Sequence, residues 1–243
     1  ALVKRYGKFL LIPTIIGAST LLADGIITPP ISVSSAVEGL SKFEALKDIH
    51  TVPIVIVIIS GLFFFQRFGT HAVGYVFGPA MMVWFSMLFV LGFSKILENP
   101  EILNALNPMY AFNFLSKYPG GFVLLGAVFL ATTGAEALYS DLGHCGKKNI
   151  RITWVFVKVC LVVNYMGQAS YLMGLGEGAT MHGLNPFYEI MTEWFLIPGI
   201  IIATSAAIIA SQALISGSYT LINEAMNLNF WPRVAVRQPS NIK

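Results

Sequence analysis

An all-α integral membrane protein is the fold class that this sequence predicts. Of its 243 residues, 56% are hydrophobic and 11% charged. A soluble domain carries roughly 25% charged residues, so a soluble chain of this make-up would lack the polar material to cover its surface. Six stretches approach or reach the about 20 mainly apolar residues with which a helix crosses a bilayer. The 18 Phe, 9 Tyr and 4 Trp suit lipid-facing and interfacial positions, and the mean hydropathy is +0.71.

The predicted spans are 9–39, 51–66, 72–95, 120–140, 151–173 and 194–220, in a single transmembrane domain over 1–243. The second is short and has little room to tilt. The opening "ALVKRYGKFL" is basic and reads as a loop entering the first span, not as a cleavable signal peptide. Between the third and fourth spans, "LNPMYAFNFLSKY" at 106–118 is too short to cross. Its Tyr110, Phe112, Phe114 and Tyr118 suit a helix lying in the interface. "LNPFYEIMTEWF" at 184–195 is expected to play the same part. The chain has no initiator Met and stops at "RQPSNIK" without a closing element, which reads as a fragment.

With six spans, both ends and the second and fourth loops share one side. That side holds Lys4, Arg5, Lys8, Arg67, Lys147, Lys148, Arg151, Arg233, Arg237 and Lys243, against Lys42, Lys47, Lys95 and Lys117 on the other. The excess places both ends in the cytoplasm of a multi-pass plasma membrane protein. Lys158 lies inside the fifth span, about two turns from its cytoplasmic start, within snorkelling reach of the interface. A net charge of +3, spread over short loops, does not suggest nucleic acid. Cys145 and Cys160 form neither a disulfide framework nor a metal cluster, and His50, His71, His144 and His182 lack ligand spacing. No cofactor is implied.

Polar residues at depth carry the functional information. A carboxylate at mid-span costs at least ~2.5–3.5 kcal/mol on insertion scales, so it normally faces a cavity or a partner. Asp24 and Glu136 fall there. Thr20, Asp24, Thr28 and Ser32 recur every four residues, one slowly drifting helix stripe to which Gly17 and Ser35 return. Oxygens in a row are what a hard cation needs in place of its water shell. The bland alternative is that the hydroxyls bond back to their own helix and that Asp24 pairs with a basic residue. Pro29 and Pro30 weaken the helix there and free backbone carbonyls. Glu136 follows Thr132, Thr133 and Gly134, a poor run for a smooth helix and an expected unwinding point. Thr133, Glu136 and Tyr139 share roughly one face; a protonated Glu136 bonded to a neighbouring helix is the alternative. Asp141 reads as a solvated loop charge. In the sixth span Ala206, Ala207, Ala210, Ser211 and Ala213 read mainly as close packing, with Ser211, Gln212 and Ser216 as weak pore-lining candidates. Asn164 and Gln168 are equally open.

These segments also form a pattern. "ADGIITPPISVSSAVEGL" resembles the signature of the KUP/HAK/KT potassium transporters, and "ALNPMYAFNFL", "GAVFLATTGAEALYSDLGHCGKKNIRITW", "NYMGQASYL", "NPFYEIMTEWFLIPGIIIATSAAIIASQALISGSYTL" and "LNFWPR" continue it in order. The resemblance implies a partial inverted-repeat bundle like the amino acid–polyamine–organocation (LeuT-like) fold, this chain holding about the third to eighth of some twelve helices. It implies potassium uptake coupled to protons. The family's potassium site matches Asp24, Thr28 and Ser32 on the first span and Thr133 and Glu136 on the fourth, with Glu136 also the candidate proton carrier. Potassium and the lipid bilayer are the implied partners, and a homodimer is admitted. The family's first helix, which supplies an Asp and a Tyr to the site, has no match in this chain; Ala23, Pro30 and Ser34 replace the usual Gly, Ala and Leu, none a proposed ligand.

Other readings are a related carrier of amino acids or other cations, and a membrane subunit that transports nothing. A membrane-embedded enzyme would need a nucleophile–base pair or a metal motif such as His-x-x-Glu-His, and none occurs. The first-span stripe is costly for a purely structural subunit.

Overall fold

The computed structural model describes residues 2–43, 50–66, 71–131, 147–176, 178–181 and 184–235. Among them the regular elements are helical. In chain order they are α1 (Leu2–Val37), a 3-10 helix (Glu38–Lys42), α2 (Thr51–Gln66), α3 (His71–Glu98), a 3-10 helix (Pro100–Leu106), α4 (Pro108–Lys117), α5 (Gly121–Ala131), α6 (Lys147–Gly174), α7 (Pro186–Glu189) and α8 (Glu193–Asn227).

Four helices are long and apolar enough to cross a membrane, within Ile12–Lys42, Tyr75–Glu98, Asn149–Gly174 and Glu193–Asn227. They match the first, third, fifth and sixth predicted spans. The second predicted span is α2, whose 16 residues extend about 24 Å, short of the roughly 30 Å hydrocarbon core. Of the fourth span, α5 covers the first part and the rest lies outside the described residues. Apolar side chains on these helices face outward: Ile26 is 75% exposed, Val57 71% and Phe122 88%. Such surfaces need lipid or further protein against them.

A short helix occupies most of the 106–118 segment, α4, capped by Asn107, whose side chain accepts from the Met109 N–H at 3.0 Å. None of its residues is buried, and Phe114 stacks on Tyr118 at 5.1 Å. The second interfacial helix, expected at 184–195, is not there. That segment holds the single turn α7 and the first residues of α8, and its Tyr188, Ile190 and Met191 are buried. Trp84 packs edge-on to Phe187 at 5.6 Å, so the middle of this segment packs against protein, while Leu184 and Trp194 at its ends stay exposed.

The chain divides into two compact units, residues 1–80 with 200–243 and residues 81–199. In the first, α1 packs on α2 around buried Val33, Val37 and Val55, with Ile54, Ile58, Ile59 and Ala207 of α8 against them. In the second, α3 and α6 cross at glycines. A Cβ on Gly92 would stand 2.5 Å from the Asn164 Cα and the Val163 carbonyl oxygen, and one on Gly167 would strike the Gly92 backbone. Small residues allow this approach where lipid supplies no hydrophobic drive. The end of α3 is tied to α6 by Ser170, whose hydroxyl donates to the carbonyls of Lys95 (2.8 Å) and Asn99 (3.3 Å). The Lys95 carbonyl, in the last turn of α3, also accepts from the Asn99 N–H at 3.3 Å.

Candidate functional site

The candidate site is built on α1, which stays α-helical through Pro29 and Pro30. Proline has no N–H, so the carbonyls of Gly25 and Ile26, four residues back, have no helical donor. Two free carbonyl dipoles thus adjoin the polar stripe.

Asp24, Thr28 and Ser32 are all half-buried on that helix. The Thr28 hydroxyl donates to Asp24 Oδ1. This bond aims the Thr28 proton at the carboxylate and leaves both lone pairs of Oγ1 as acceptors. One cation can then meet a carboxylate oxygen and a hydroxyl oxygen from adjacent turns. Among the described residues no Lys or Arg forms an ion pair with Asp24, so the structural alternative of a salt-bridged acid finds no partner there. Thr20 behaves otherwise. It is exposed, and its hydroxyl donates to the carbonyls of Ile16 (3.1 Å) and Gly17 (2.9 Å), the self-bonding arrangement of a structural threonine. The stripe therefore narrows to Asp24, Thr28 and Ser32.

Thr133 and Glu136, with neighbouring Tyr139, Asp141 and His144, lie outside the described residues. The structure places three of the five expected ligands, on one helix.

Where α1 meets α8, the approach is close: a Cβ on Gly25 would collide with the Ser218 hydroxyl. Ser218 itself donates to the Leu214 carbonyl at 3.0 Å. Beside this contact opens an almost wholly apolar cavity of about 470 Å³, bounded by Gly25, Pro29 and Pro30 of α1, Phe63 of α2, Ile215 of α8 and Trp231. It lies against the same turns that carry Asp24 and Thr28.

Among the described residues, two buried side-chain oxygens are unpartnered, Asn164 Oδ1 on α6 and Ser211 Oγ on α8. Asn164 is 4% exposed and belongs to the α3–α6 crossing, where sequence left it open between packing and function. Lys158 lies with its ammonium 5.3 Å from the centre of the Trp154 ring, one turn nearer the start of α6, the direction that snorkelling predicts.

Residues 2–243 match the family model described as "K+ potassium transporter integral membrane domain". The chain is 60% identical over 245 residues to the "Probable potassium transport system protein Kup" of Cytophaga hutchinsonii, covering 99% of this chain and 37% of that protein. It is 59% identical over 249 residues to the Kup protein of Flavobacterium psychrophilum, with 100% and 38% covered. It is 49% identical over 253 residues to that of Clostridium perfringens, again with 100% and 38% covered. The chain thus spans under two fifths of the length of these relatives. No solved structure matches it.

Proposed function

The chain belongs to the K+ potassium transporter family, and on that premise we propose that it contributes the ion-handling middle of a protein that imports potassium across the plasma membrane by proton-coupled symport. The family is one of transporters, not enzymes. Membership weighs against the amino acid carrier and the non-transporting subunit.

The observation that carries the proposal is the Thr28–Asp24 hydrogen bond on a half-buried stripe, next to carbonyls freed by Pro29 and Pro30. A potassium ion that sheds water needs several oxygens at once. Asp24 supplies the charge, Thr28 and Ser32 supply neutral oxygens, and the freed carbonyls are a reserve. Family resemblance supports Thr133 and Glu136 as the ligands from the fourth span. Glu136 is the proposed proton carrier: protonation removes charge that the cation uses, so the two ions are coupled. The same reading extends to a LeuT-like inverted-repeat bundle, to cytoplasmic ends for this segment and to a homodimer, which crosslinking in native membranes would reveal.

The test is growth of potassium-uptake-deficient cells at low potassium, carrying the full-length protein. Asp24→Asn keeps the volume and removes the charge, so rescue should be lost. Thr28→Val removes one neutral ligand and should weaken rescue less. Normal growth with Asp24→Asn would remove Asp24 from the site.

A further inference from the structure

One buried polar group near the candidate site lacks an explanation in packing. Ser211 of α8 is 2% exposed and its hydroxyl has no partner. A serine inside a helix usually bonds its own carbonyl four residues back. Its neighbours on α8 do so: Ser205 to Ile201 (2.8 Å), Ser218 to Leu214 (3.0 Å) and Thr220 to Ser216 (3.1 Å). Ser211 does not, and a buried hydroxyl without a bond is costly.

The register of α8 against α1 shows where Ser211 stands. Gly25 abuts Ser218 and, more loosely, the Leu214 carbonyl oxygen at 4.0 Å. Ala207 packs against the cluster of Val33, Val37 and Val55. Contact on α8 therefore moves back along the chain as contact on α1 moves forward, and the two helices are antiparallel. Residues 207, 211, 214 and 218 recur at spacings of four, three and four, which is one helix face. Ser211 thus shares the face that meets α1, between the Gly25 level and the Val33 level. That interval is eight residues, about 12 Å of helix rise, and it contains Thr28 and Ser32. On α1, Ser32 is three residues from buried Pro29 and seven from Gly25, the same face that meets α8.

We propose that Ser211 supplies a further oxygen to the cation path at the level of Thr28 and Ser32, as a ligand for a weakly hydrated monovalent cation. The inference rests on the α1 site described above. It accounts for both the burial of Ser211 and the missing bond: the hydroxyl is held for an ion.

The experiment is rubidium uptake by the full-length protein in potassium-uptake-deficient cells, over a concentration series. Ser211→Ala should raise KM about fivefold, the effect of one lost neutral contact, with Vmax retained. Ser211→Thr keeps the hydroxyl and should stay at the parent's KM. KM is independent of the amount of protein, so a change in surface level alters Vmax alone. A parental KM in Ser211→Ala overturns the proposal, as does equal impairment of the Ala and Thr variants, which marks a packing role. Asp24→Asn is run beside them. If Asp24→Asn loses rubidium uptake while Ser211→Ala keeps the parental KM, only the Ser211 inference fails. If Asp24→Asn takes up rubidium normally, the α1 site and this inference fall together.

Discussion

Substituting Gly167→Ala puts the α3–α6 crossing to a direct test. An alanine inside an exposed helix is worth about 1 kcal/mol over glycine, so propensity alone predicts stabilisation. At Gly167 the added methyl would land on the backbone of Gly92, and backbone, unlike the end of a flexible side chain, has nowhere to turn. Overpacking costs typically ~1–3 kcal/mol, and contact with main-chain atoms belongs at the upper end. The balance is a loss of about 1–2 kcal/mol, a fall of roughly 2–8 °C for a domain of this size. Gly92→Ala meets the Val163 carbonyl oxygen and the Asn164 Cα at 2.5 Å and should cost a similar amount. Because the two glycines touch, the pair should not be additive: once one methyl has parted the helices, the second has room. Gly61 on α2, with nothing within 4 Å of a Cβ, is the control and should be neutral or stabilised. The assay is thermal unfolding of detergent-purified full-length protein followed by size-exclusion chromatography. A Gly167→Ala variant that melts at or above the parent, or two substitutions whose effects simply add, would refute the crossing.

Other consequences can be checked in the same preparation. Ser170→Ala removes the hydroxyl that donates to the Lys95 and Asn99 carbonyls, Lys95 keeping only the Asn99 N–H, and should lower stability by about 1 kcal/mol, with potassium KM unchanged in uptake assays. Glu136→Gln imitates the protonated acid, so uptake measured across a pH series should lose its pH dependence while some potassium binding remains. Parental pH dependence in that variant would move the proton role to another residue.

Much of the helix layout is legible because lipid leaves so few options. An apolar run must be helical to satisfy its own backbone, and α2 begins and ends where its apolar run does, at Thr51 and Gln66. The stripe on α1 follows from spacing alone, since residues four apart share a face. Spacing does not tell which way a hydroxyl turns. Thr20 and Thr28 look equivalent in sequence, yet one bonds its own helix and the other an acid. The 184–195 segment was misread for a related reason. Phe187 and Tyr188 have interfacial composition, but composition does not distinguish a headgroup from the Trp84 ring as the neighbour of Phe187. The α3–α6 crossing left a signal that sequence reasoning passed over: isolated Gly92 and Gly167 inside helical runs, where glycine is costly unless backbones must approach. Ser170 gives no such signal, because its two acceptors lie more than 70 positions away in the chain.

The central claim is that the Asp24 carboxylate holds the transported cation. Equilibrium binding of rubidium-86 to purified full-length protein measures this without the complications of growth or membrane potential. The account predicts saturable binding by the parent and its loss in Asp24→Asn, with Thr28→Val weakened between the two. An Asp24→Asn protein that binds rubidium with the parent's affinity would contradict it.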